Sequence, residues 1–109
     1  MFIKSKMADV VNLVEGLEAK RLAYGYRTIM LEFRGEKGSQ MHEHQHLNEE
    51  IGYLMEGKIE YTIDGETFIL NPGDSWCIPE NCRHSALALE DSRAIKVFSP
   101  VRDELFPSS

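Results

Sequence analysis

Short runs of alternating apolar and polar residues fill most of the chain. In residues 58–63, Ile59, Tyr61 and Ile63 fall on one face and Lys58, Glu60 and Thr62 on the other. That period of two predicts a half-buried strand. Asp64-Gly65 follows it, and predicts a tight hairpin, because a type I′ turn needs positive φ at both central positions. Residues 67–70 return as the partner strand, and Asn71-Pro72-Gly73-Asp74 turns the chain again. Residues 75–78, 84–89 and 94–98 read as further strands, with Glu90-Asp91-Ser92 as a polar turn between the last two. Upstream, residues 20–33 read as two strands or one bent pair, 35–38 as a turn, and 51–55 as a strand ending at Glu56-Gly57. Only residues 8–17 have helical spacing, through Val10, Leu13, Val14 and Leu17, with Gly16 against it. Strands this short, separated by turn residues, predict an all-β sandwich or barrel.

A length of 109 residues fits one domain. Its expected parts are a lead-in at 1–19, a barrel at 20–99, and an irregular tail at 100–109 that frays from 106 onward. The formal charge of −6 argues against a nucleic-acid partner. No apolar run reaches membrane-spanning length, and the first residues lack an apolar stretch of signal-peptide size. A cytoplasmic protein is therefore expected. Cys77 and Cys82 are too few for a disulfide framework and are expected as reduced thiols.

The candidate chemistry lies in the histidines. His44 and His46 sit at i and i+2, so an extended strand aims both imidazoles to one side. Around them the chain reads Gly38, five residues, His44-Gln45-His46, three residues, Glu50, six residues, Gly57. A second stretch reads Gly73, five residues, Pro79, then Asn81 and His84. This pair of motifs resembles the two-part signature of the cupins, small antiparallel jelly-roll β-barrels that are usually dimeric. The resemblance implies a metal held by His44, His46, Glu50 and His84. Three nitrogens and one oxygen suit a divalent first-row ion: zinc, iron, nickel, manganese or copper. One ion joins both stretches only if the sheet curls so that they face each other across an interior. His42 is expected outside the ligand set, and Cys82 is expected to pack, with a soft-ligand role as the alternative.

A second resemblance covers most of the chain. The segments KRLAYG (20–25), EIGYLMEG (50–57), GDSWCIP (73–79), ALED (88–91) and VFSPVR (97–102) look like the pectin-degradation cupins. That resemblance implies metal-assisted ring opening and proton transfer on unsaturated monouronates, small anionic sugar acids. It places Phe98 and Arg102 at functional positions. Glu50 stands where that family often has glutamine, and Lys96 stands where it has an acid. Lys96 shares a strand face with Phe98 and is expected either as a neutral amine able to accept a proton or as a snorkelling lysine at the barrel mouth. Arg102 is expected to clamp a substrate carboxylate or to pair with Asp103 or Glu104. Tyr53 and Trp76 are expected in core or dimer packing, and Arg83 and Glu49 facing away from the metal. Two other functions fit the same ligands: a metal-dependent binding module without turnover, and an iron or manganese dioxygenase. A homodimer is expected, through outer sheet faces or an exchanged amino-terminal strand.

Overall fold

The computed structural model describes residues 1–102, 105 and 106. Among the described residues ten strands run β1 (Val10–Val14), β2 (Leu17–Tyr24), β3 (Ile29–Gly35), β4 (Gln40–His44), β5 (Glu49–Glu56), β6 (Ile59–Ile63), β7 (Glu66–Leu70), β8 (Ser75–Ile78), β9 (His84–Ala88) and β10 (Ser92–Ser99). They form a six-stranded sheet in the order β1-β2-β3-β10-β5-β8 and a four-stranded sheet in the order β4-β9-β6-β7. Each paired neighbour is antiparallel. The fold is the expected jelly roll. Its two sheets enclose the interior face to face; among the described residues no strand ladder joins them into a closed ring.

Why the chain folds this way is clearest at the turns. Asp64 and Gly65 both take positive φ, 49° and 83°, so β6 and β7 pair from Ile63 opposite Glu66 onward. The expected helix at 8–17 does not form. Gly16 adopts φ 79° and reverses the chain, so β1 pairs with β2, Val10 opposite Lys20. Val11 and Leu13 pack toward the core while Val10 and Val14 stay exposed. The period of two among β-branched residues therefore wins over the apparent helical spacing. The segment expected as a lead-in thus contributes β1 and the start of β2 to the larger sheet, with Leu17 and Ala19 buried. At the other end, fraying was expected from 106, but Phe106 is buried against the core under the Arg21 guanidinium. The rest of that expectation, 107–109, lies outside the described residues.

β10 runs through the middle of the larger sheet and carries Ser92, Ala94, Lys96 and Phe98 inward in strict alternation. One apolar cluster gathers Leu17, Ile29, Leu31, Phe33 and Phe98. A second gathers Leu54, Tyr61, Trp76, Ile78 and Ala94 from both sheets. Gly52 on β5 stands opposite Trp76 on β8, and the indole lies across it. A Cβ at Gly52 would run into the ring carbons of Trp76, so only glycine leaves the indole its place.

Gly52→Ala is expected to displace Trp76 and to destabilise the fold by about 1–3 kcal/mol, the usual cost of overpacking. Urea unfolding followed by the fluorescence of Trp76, the only tryptophan, measures both the loss and the altered indole environment.

Candidate metal centre

Two loops and three strands bring the histidines together. His44 ends β4 and His84 begins β9, and the two are direct partners across the ladder. His46 lies in the connection to β5. The Asn81 backbone N–H donates to the His46 carbonyl at 2.7 Å, which ties the loop before β9 to the loop before β5. Asn81 does this at φ 58°, a left-handed backbone that asparagine tolerates. The Asn48 amide donates to the Pro100 carbonyl and fastens the same loop to the chain after β10.

Each of the three imidazoles is held in the same way. Nδ1 of His44 bonds the His42 carbonyl at 2.7 Å, Nδ1 of His46 the Asn48 carbonyl at 2.9 Å, and Nδ1 of His84 the Cys82 carbonyl at 2.8 Å. A carbonyl only accepts, so Nδ1 carries the proton and Nε2 keeps its lone pair. Nε2 of His44 and Nε2 of His46 are buried without a hydrogen-bond partner. The candidate ligand atoms of His44, His46 and His84 all lie within 4.8 Å of one another. Burial lowers the pKa of His44, and it pushes His84 down to about 4. Both rings are therefore neutral near neutral pH, the form that binds a metal. Convergent lone pairs with no donor to satisfy them fit a divalent cation.

Glu50 lies beside this group at 1% exposure. Its Oε1 is 3.6 Å from Nε2 of His46 and 3.8 Å from Nε2 of His84. Its Oε2 accepts from the Trp76 indole N–H at 2.8 Å and the Tyr61 hydroxyl at 3.1 Å, with the Lys96 ammonium at 3.8 Å. Burial works to raise the Glu50 pKa, but the Lys96 charge and the hydrogen bonds outweigh it and hold the carboxyl below the usual range. Burial, reinforced by the Glu50 charge, raises Tyr61 well above the ordinary phenol.

Lys96 does not snorkel at a barrel mouth. It is 4% exposed, between Ala94 and Phe98 in the inward row of β10. The physical reason is its pairing: a buried carboxylate on the neighbouring strand accepts its charge, and the Phe33 ring lies 4.0 Å away. Phe98 is fully buried and stands edge-on to His46 with ring centroids 5.6 Å apart. The Arg102 guanidinium is buried over Phe98 at 4.9 Å, close enough for its charge to lower His44, though burial is the larger cause there. Its alternative partners Asp103 and Glu104 lie outside the described residues. His42 is exposed and offers only its carbonyl. The Cys82 thiol approaches the Arg83 carbonyl at 3.8 Å and is not among the grouped ligand atoms. Arg83 is exposed and pairs with Glu43 at 3.6 Å, and Glu49 is exposed, both as expected. Tyr53 is half exposed on the outer sheet face, whereas Trp76 is core. The roles of Trp76 and Tyr61 toward Glu50 were not foreseen. A buried indole N–H needs an acceptor, and that was the available signal.

A fold of this kind, with three imidazoles meeting between two sheets, defines a class of metal-binding β-proteins. A profile described as a cupin domain matches residues 31–99, and the chain belongs to the cupin family. It is 32% identical over 92 residues to the pectin degradation protein KdgF of Dickeya dadantii, covering 83% of this chain and 84% of that one. The structure of KdgF from Halomonas sp. superposes with a TM-score of 0.88 at 33% identity, covering 96% of each chain. An acireductone dioxygenase of Bacillus licheniformis is 37% identical over 60 residues, which is 50% of this chain and 34% of that protein. Among the described residues no helix is long and apolar enough to cross a membrane.

Removing a histidine is expected to abolish tight metal retention. Loss of an outer partner of a ligand typically costs 10–100-fold, so His84→Ala should weaken binding by more than about 100-fold. Elemental analysis of purified protein, with calorimetric zinc titration, measures it.

Proposed function

We propose that this chain is a metal-dependent cupin acting on a small anionic sugar acid, an unsaturated monouronate, by ring opening and proton transfer. The observation that carries the reading is the three-histidine group, in which Nε2 of His44 and of His46 is buried without a partner. It occurs in a chain similar to KdgF over most of both lengths. His44, His46 and His84 would hold the ion, with Glu50 as the oxygen ligand. A bound divalent ion supplies Lewis acidity to a substrate carbonyl or hydroxyl oxygen. Arg102 offers a bidentate fork for the substrate carboxylate. Phe98 walls the interior beside His46 and excludes water. Lys96, whose pKa burial lowers while the Glu50 charge opposes the fall, is the group available for proton transfer in this reading.

A second reading is supported by one observation. Lys96 replaces the acid implied by the pectin-degradation resemblance, and it is ion-paired with Glu50. That arrangement favours a metal-dependent binding module with no turnover. The two readings separate by following the ultraviolet absorbance of a 4,5-unsaturated monouronate with zinc-, nickel- or manganese-loaded protein. Loss of absorbance above background supports the enzyme. Calorimetric binding without product supports the module and overturns the enzyme. Oxygen uptake with an acireductone would instead favour the dioxygenase chemistry. In the enzyme, Arg102→Met is expected to raise KM about 10–100-fold with a smaller effect on kcat, as for loss of a charge-assisted hydrogen bond.

The same proposal includes a homodimer. On the outer face of the larger sheet, Met30, Val97 and Ile51 lie side by side across β3, β10 and β5, with Ile95 and Tyr53 as the next row. Ile51 and Tyr53 are 53% and 50% exposed. A twofold axis through such a patch packs it against itself. Ile51→Asp is expected to shift the elution volume in size-exclusion chromatography from dimer to monomer.

A further inference from the structure

Glu50 faces two cationic positions from its two oxygens. Oε1 looks toward the histidine Nε2 atoms, where a divalent ion would sit. Oε2 lies 3.8 Å from the Lys96 ammonium. Among the described residues Glu50 is the carboxylate within ion-pair reach of that ammonium. Its remaining close partners are the rings of Phe33 at 4.0 Å and Tyr61 at 5.6 Å, which favour a cation from their faces. The positions are set by the sheet: Lys96 pairs with Gly52 and Phe98 with Glu50 across β10 and β5, so the lysine and the carboxylate are diagonal neighbours on one inward face. Trp76, seated over Gly52, closes the other side of the carboxylate.

A buried carboxylate with no cation beside it is costly. Either Lys96 or the metal can meet that need, and the two repel each other through a low-dielectric interior. We propose that Lys96 is a resident cation of the site, holding Glu50 in place when the metal is absent and competing with the metal for that one carboxylate. The inference rests on the metal-binding reading above and adds a regulator of affinity to it. Trp76 and Tyr61 act as positioning residues, fixing the carboxylate so that it cannot rotate away from either cation. Coupling between two ligands of one group is reciprocal: whatever the metal costs the lysine, the lysine costs the metal.

Zinc titration by calorimetry, paired with thermal melts of the metal-free and zinc-loaded proteins, tests this on wild type, Lys96→Met, Glu50→Gln and the double variant. Lys96→Met keeps an unbranched side chain, one atom shorter, and removes its charge. It is expected to melt lower than wild type without metal, to gain more from zinc than wild type does, and to bind zinc at least about tenfold tighter. In the Glu50→Gln background the same substitution is expected to give a clearly smaller gain, the relief of direct repulsion alone. Equal zinc affinity of wild type and a folded Lys96→Met overturns the inference and leaves the metal-binding reading standing. A gain of undiminished size without Glu50 overturns it too. Binding by Lys96→Met but not by wild type supports it, and binding by neither overturns both readings. Should Lys96→Met fail to fold, Lys96→Gln carries the same comparison with a neutral, shorter polar side chain.

Discussion

A carboxylate sealed between two sheets at 1% exposure stays charged only if its surroundings replace water completely. Glu50 meets that demand at Oε2 with two neutral donors and one cation, while Oε1 faces the Nε2 lone pairs of His46 and His84, where a cation would sit. Each partner comes from a different element: Tyr61 from β6, Trp76 from β8, Lys96 from β10, His46 from the loop before β5, and His84 from β9. The larger and the smaller sheet therefore converge on one group. Loss of any partner leaves a buried charge partly unmet, a cost of the kind that dominates large mutational effects.

The histidines show the complementary device. Their Nδ1 atoms are all spent on backbone carbonyls of residues two away in sequence. The carbonyls fix both ring orientation and tautomer, and leave Nε2 pointing inward as a lone pair. Local backbone thus sets the chemistry of each ring, while the ladder pairing of His44 with His84 and the Asn81 bond to His46 set their meeting point. Geometry is built before any ion arrives, so the cost of ordering the site falls on folding and not on metal binding.

Much of this was legible from the chain. Asp64-Gly65 announced its hairpin because few residue pairs accept positive φ twice in succession. The i, i+2 histidines were legible because their spacing is local, whereas His84, far along the chain, joined them only through the resemblance to the cupin motif pair. The segment at 8–17 misled because apolar residues at 10, 13, 14 and 17 satisfy a helical template, while the deciding fact, pairing with residues that follow Gly16, is nonlocal. Tyr61 and Trp76 gave no sign of sharing a carboxylate, for a buried aromatic looks the same in sequence whether its polar tip is satisfied by water, backbone or a charge. The opposite faces of Tyr53 and Trp76 were likewise hidden until strand register was known.

Lys96 is the most instructive of these cases. Taken alone, a lysine at a position where the resemblance implies an acid reads as a loss of function or as a surface charge. Taken together with Glu50 it is half of a pair, with the carboxylate on the neighbouring strand and the lysine beside it on the same inward face. Reversing only the lysine, as Lys96→Asp, would press two carboxylates together across the distance now spanned by an ion pair, and the variant would report repulsion instead of restored chemistry. Restoring the resembling pattern requires both positions to change at once, Glu50→Gln with Lys96→Asp. The two substitutions are therefore one physical variable, the sign and placement of charge behind the imidazoles, and neither has a meaning separable from the other.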